Sequence, residues 1–208
     1  AHTSREETAY YIRILPEHLD LGIDILADIL TCSTLPEDEI ERERGVIIQE
    51  IGQSVDTPDD MVFDLFAEAT HGGHTLGRPI LGTVDSVSAF SKRDLAGFMK
   101  RHYGAEQMLV CASGKIDHDD LVTRITNALG GVKTAKHASR NSPSWQAGRH
   151  LLTRDLEQAH VIFGLPAPSA TTPDRFALMA LSTLYGGGMS SRLFQQVREK
   201  RGLCYSIF

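Results

Sequence analysis

Glu39-Ile40-Glu41-Arg42-Glu43-Arg44-Gly45-Val46-Ile47-Ile48-Gln49-Glu50-Ile51 reads as one helix with two carboxylates on its apolar stripe. At 100° per residue, Glu43 and Glu50 are two turns apart and project within about 20° of each other. Ile47 lies between them and Ile40 and Ile51 flank the stripe, while Glu41, Arg42 and Gln49 point the other way. A carboxylate withdrawn from water is costly unless a cation or hydrogen-bond donors compensate it. A positive group is therefore expected against this face. Two readings stay open on geometry alone. In one, the glutamates meet Arg side chains or cap a neighbouring helix. In the other, Glu50 gives an oxygen to a divalent ion and Glu43 steadies the ligands behind it.

Outward from this helix, strands and helices mix without the regular βαβ alternation of a parallel sheet, which predicts an α+β fold. Residues 8–15 (TAYYIRIL) are β-branched and aromatic and read as a strand. A helix follows from Pro16, with Leu19, Ile23, Leu26 and Leu30 on one face. Thr34 and Glu37 have capping-box spacing ahead of the central helix, and another helix begins after Thr57-Pro58. Ser91 with Asp94 and then Asp117 mark two further helix starts. Residues 107–112, 151–153 and 159–165 read as strands, 172–185 and 191–200 as helices, and a last strand starts at Leu203. The stretch 130–148 is polar and aperiodic and reads as a linker.

Composition excludes several classes. The 208 residues carry a net charge of −6 and no Lys/Arg run, which argues against nucleic acid as the partner. No apolar stretch approaches the ~20 residues of a membrane span. Cys32, Cys111 and Cys204 are far apart and odd in number, so buried reduced thiols are expected. The chain opens on Ala1-His2-Thr3 without Met and closes on Tyr205-Ser206-Ile207-Phe208, so an internal piece of a longer protein is expected.

Of the nine histidines, His71 and His74 share an H-x-x-H spacing, in a glycine loop that favours a surface role over a zinc pair. The others are scattered singles, and neither HExxH nor HxxEH occurs. Gly186, Gly187 and Gly188 are followed by no Lys-Ser/Thr, so they are read as a turn and not as a phosphate loop.

Five motifs appear in order: Ala1-His2-Thr3-Ser4-Arg5-Glu6-Glu7-Thr8; Glu41-Arg42-Glu43-Arg44-Gly45-Val46-Ile47-Ile48-Gln49-Glu50; Leu76-Gly77-Arg78-Pro79-Ile80-Leu81-Gly82; Gly186-Gly187-Gly188-Met189-Ser190-Ser191-Arg192-Leu193-Phe194; and VREKRGLCY from Val197 to Tyr205. Together they resemble the pitrilysin/insulinase class of zinc metallopeptidases, in the branch of the mitochondrial processing peptidase β subunit and its bacterial relatives.

The resemblance implies a half-molecule of two homologous α+β domains, each an antiparallel sheet flanked by helices. Residues 1–135 would be the first, zinc-side domain without its start, 136–148 the linker, and 149–208 the opening portion of the second domain. The implied cofactor is Zn2+, held by an inverted HxxEH motif that lies upstream of Ala1 and by a later Glu. Glu50 matches that last ligand, and Glu43 the catalytic-site acid behind it. Ala1, His2 and Thr3 match an edge strand that takes substrate by backbone pairing. Arg198 and Tyr205 match a pair that holds the substrate carbonyl and stabilises the oxyanion; on residues alone they read as an Arg at a helix C-terminus and a core Tyr. The implied activity is zinc-dependent hydrolysis of peptide bonds in unfolded peptides or presequences, absent from this chain by itself. The alternative is a non-catalytic, peptide-binding or scaffold subunit of such a complex. The implied partners are a peptide substrate and a second half-molecule, in a homodimer or heterodimer, in the bacterial cytoplasm or the mitochondrial matrix.

Overall fold

A computed structural model describes residues 1–135 and 141–208. Residues 136–140, the front of the expected linker with His137 among them, lie outside the described residues. The chain separates into two compact units, Ala1–Ile162 and Phe163–Phe208.

The first unit begins with a hairpin. Strand β1 (His2–Thr3) pairs antiparallel with β2 (Thr8–Ala9), His2 opposite Ala9 and Thr3 opposite Thr8. Ser4 closes the turn: its Oγ accepts from the backbone N–H of Glu6 and Glu7, and its own N–H donates to the Glu7 carbonyl at 2.8 Å. A short 3-10 turn at Pro16–His18 leads into α1 (Leu19–Thr31). Leu35 then adopts φ 46°, a left-handed conformation that turns the chain into α2 (Glu37–Asp56). The capping-box expectation at Thr34 is not met. Pro36 flanks the helix without a side-chain cap, and Glu37, Asp38 and Glu39 instead complement the N-terminal dipole.

Helix α3 (Pro58–His71) starts on Pro58 as expected, followed by α4 (Val84–Ala89), α5 (Lys92–His102) and α6 (His118–Leu129). Ser91 and Asp94 form the reciprocal capping box that their spacing predicts, and Asp117 accepts from the N–H of Asp120. Helix α2 packs against α3 and α4, and α1 against α6. Arg44 on α2 ties the second contact down by donating to the carbonyls of Val87 and Phe90 at the end of α4. The second unit holds α7 (Arg175–Gly186), the glycine triplet and a π-helical turn at Phe194–Glu199. A Cβ on Gly186 would sit 2.8 Å from the Phe208 backbone, so this close approach of the chain end requires glycine.

The fold is α+β, as predicted, but its described sheet is small. Residues 10–15, 107–112, 151–153, 159–165 and those from Leu203 on form no ladder among the described residues. A helix closes its hydrogen bonds within itself, whereas a strand exists only with a neighbour, so β-branched runs alone do not make one. The period-2 pattern persists in exposure: Val161, Phe163 and Leu165 are open to solvent, with Ile162 and Gly164 less so. The cysteines are unpaired as expected, but Cys32 and Cys111 are exposed, since one follows the end of α1 and the other lies in an unpaired run. No described helix is long and apolar enough to cross a membrane.

Candidate functional site

Helix α2 sorts its charges by face. Arg42 bonds Glu39 at 2.6 Å and Arg44 bonds Glu41 at 3.0 Å, one turn apart in each case. The Arg44 bond holds the Glu41 carboxyl below its ordinary range and raises the Arg44 guanidinium. Glu43 and Glu50 receive nothing comparable. Among the described residues neither accepts a hydrogen bond or an ion pair, and both side chains are exposed. The expected cation against this face is thus absent among the described residues, and no Arg takes the place that the structural alternative gave it.

Glu43 borders a groove of about 620 Å³ whose apolar lining includes Ile29, Ile40, Ile47 and Phe90. The predicted stripe is therefore real as a face, with Ile40, Glu43 and Ile47 turned to one depression. Glu50, two turns further on, stands outside that lining.

The hairpin places Ala1, His2 and Thr3 at the surface. Among the described residues β1 has one edge on β2 and the other unpaired. Such an edge offers backbone N–H and C=O groups to an extended chain. Arg5 in the turn bonds Asp64 on α3 at 2.8 Å, and the Tyr10 hydroxyl meets that of Tyr103, just past α5, at 2.9 Å. These four residues were not singled out by sequence. Their partners lie 59 and 93 positions away, and no spacing rule reaches that far.

In the second unit the structure joins Arg198 and Tyr205. The Arg198 Nε–H donates to the Tyr205 carbonyl at 2.8 Å, and its guanidinium lies 4.5 Å above the Phe194 ring and 5.7 Å from the Tyr205 ring. Tyr205 is 85% exposed, so it is not the core residue that the bland reading gives. Phe194 was missed as a partner. The cation–π contact follows from its position four residues before Arg198, one helical turn back.

The H-x-x-H pair anchors chain. His74 Nδ1 accepts from the Leu76 N–H, so Nε2 carries the proton and donates to the Asn141 carbonyl at 2.9 Å. His71 Nδ1 donates to the Ser144 carbonyl at 3.3 Å, and Trp145 packs edge-on against Phe66 and His71. Among the described residues no three His, Cys, Asp or Glu side chains gather where they could hold a metal ion. The donors present among the described residues do not complete a zinc site.

Two family models match in succession: "Insulinase (Peptidase family M16)" over residues 1–84 and "Peptidase M16 inactive domain" over residues 89–208. An uncharacterized zinc protease of Streptomyces coelicolor is 42% identical over all of this chain and 47% of its own length. One from Mycobacterium leprae is 39% identical, over all of this chain and 48% of its own. Among solved structures, the peptidase M16 inactive domain from Pseudomonas fluorescens superposes with a TM-score of 0.77 at 19% identity, covering 92% of this chain and 47% of that one. The chain belongs to the M16 peptidase family, and it spans about half the length of the curated relatives it matches.

Proposed function

We propose that this chain is part of a zinc-dependent, processing-peptidase-like endopeptidase that hydrolyses peptide bonds in unfolded peptides or presequences. The observation that carries the reading is the succession of two M16 models along the chain, with relatives named zinc proteases matching it throughout. In this reading residues 1–135 are the zinc-side domain, 136–148 the linker and 149–208 the start of the second domain. Glu50 gives one oxygen to the metal and Glu43 steadies it from behind. The remaining ligands come from residues that the relatives possess beyond the matched half. The open edge of β1, at Ala1, His2 and Thr3, pairs with the substrate backbone. Arg198 and Tyr205 hold the substrate carbonyl at the site of the second half-molecule, with Arg198 preset by Phe194 and by the Tyr205 carbonyl. A second half-molecule closes the chamber, so the working protein is a dimer.

The test is zinc content and cleavage of an unfolded peptide by the protein at the length of its relatives, against Glu50→Gln. The reading expects one zinc per site in the parent, and loss of both zinc and at least about 100-fold of activity in the variant, because a ligand counts for more than the groups behind it. Full zinc and full activity in the variant would remove Glu50 from the site. A parent that binds peptide but neither zinc nor cleaves would instead support the scaffold-subunit alternative.

A further inference from the structure

A two-stranded hairpin has no core and is marginal in water by itself. The placement of β1 must therefore come from side chains that reach the helices, and two ties do so. At the turn, Arg5 Nη2 donates to Asp64 Oδ1 on α3 at 2.8 Å, with both side chains about one-third exposed. Just past β2, Tyr10 and Tyr103 share a hydrogen bond of 2.9 Å, and their rings meet edge-on at 6.4 Å. Phe98 on α5 braces the Tyr103 ring from a third side, at 6.3 Å. Burial, and then the Tyr10 bond, raise the Tyr103 phenol above its ordinary value and keep it neutral.

The ties fall at different ends of the hairpin, one on α3 and the other just past the end of α5. One tie would leave the ribbon free to pivot, whereas two fix both the position and the direction of β1. That direction matters for an edge strand, because an added chain takes its register and slant from the strand it joins.

We propose that Arg5 with Asp64, and Tyr10 with Tyr103, are positioning residues that hold the open edge of β1 ready for a peptide backbone. This rests on the reading of β1 as the peptide-pairing edge. None of the four acts on the scissile bond, so their loss weakens peptide binding and leaves the chemical step intact.

The experiment uses the protein at the length of its relatives, with Tyr103→Phe, which keeps the ring and removes one hydroxyl, and Asp64→Arg alone and combined with Arg5→Asp. KM and kcat on an extended peptide are read together with amide exchange of the hairpin. Tyr103→Phe should raise KM about 2- to 10-fold, the range of one lost hydrogen bond, with kcat unchanged and hairpin amides exchanging faster. Asp64→Arg should do the same, and the reversed pair should restore both readouts, which a merely misfolded variant would not. Hairpin exchange at the parental rate in both single variants would overturn the ties themselves. Faster exchange with KM unchanged would overturn the proposal through its premise, since β1 would then be held in place without serving as the peptide edge.

Discussion

Glu43 and Glu50 share a face of α2, as their seven-residue spacing says they must, yet both are exposed and no described side chain pairs with either. Spacing fixes which way a side chain points. It says nothing of what stands opposite, because that belongs to another part of the fold. Tyr103 shows the same limit from the other side: it is unremarked in sequence, and the fold makes it half-buried and bonded to Tyr10. Its folded pKa lies above the unfolded value of 10.0, chiefly through burial. The folded state therefore holds this proton more tightly, and its stabilising contribution is complete below about pH 10 and is lost as pH rises beyond that. Chemical unfolding between about pH 8 and about pH 11 should show the wild-type midpoint falling faster above about pH 10 than that of Tyr103→Phe. Parallel profiles would mean that the phenol is not held as described.

Among elements, the helices and the starts of the strands at His2–Thr3 and Thr8–Ala9 were legible, and the later strands were not. The Ser91–Asp94 box and the Asp117 cap are local signals answered locally, and the helices begin where those signals place them. The runs at 107–112 and 159–165 are equally clear as sequence, but a ladder needs a neighbour that no local pattern supplies. The H-x-x-H spacing was legible as a loop, while its task of holding Asn141 and Ser144 came only from the fold. Removing His74 with His74→Ala frees the Leu76 N–H and the Asn141 carbonyl together. The emission of Trp145, the one tryptophan, should then shift to the red as its edge contacts loosen; an unchanged spectrum would mean that His74 does not hold the 141–146 stretch. Gly77 is buried, and a Cβ there would lie 2.6 Å from the His71 carbonyl oxygen and 3.2 Å from that of Ala67. Backbone at the end of α3 cannot step aside cheaply, so Gly77→Ala should cost about 1–3 kcal/mol, read as a thermal midpoint several degrees lower.

At the scale of the whole molecule, surface is the telling quantity. The chain exposes 16548 Å², whereas two separate folded bodies of these unit sizes would expose about 11,000 Å² together. Ala67 and Val87 are the only buried hydrophobics among the described residues, and Leu109 and Phe163 stand 87% and 94% open. Exposed apolar surface on this scale calls for a covering partner. The 208-residue chain alone should therefore bind an apolar dye, and the protein at the length of its relatives should bind far less of it. Equal dye binding by the two would show that the rest of the protein does not cover these segments. The composition argued against nucleic acid as the partner, no apolar stretch approached a membrane span, and the ordered motifs carried the family; how much surface the strands leave open could not be read before the fold. The groove beside Glu43, with Ile40 and Ile47 in its lining, is part of the same helix face as Glu50. Zinc stoichiometry at that longer length, measured for the parent and for Glu50→Gln, tests this most directly. The account predicts one zinc per site in the parent and almost none in the variant, while a variant that keeps its full zinc would contradict it.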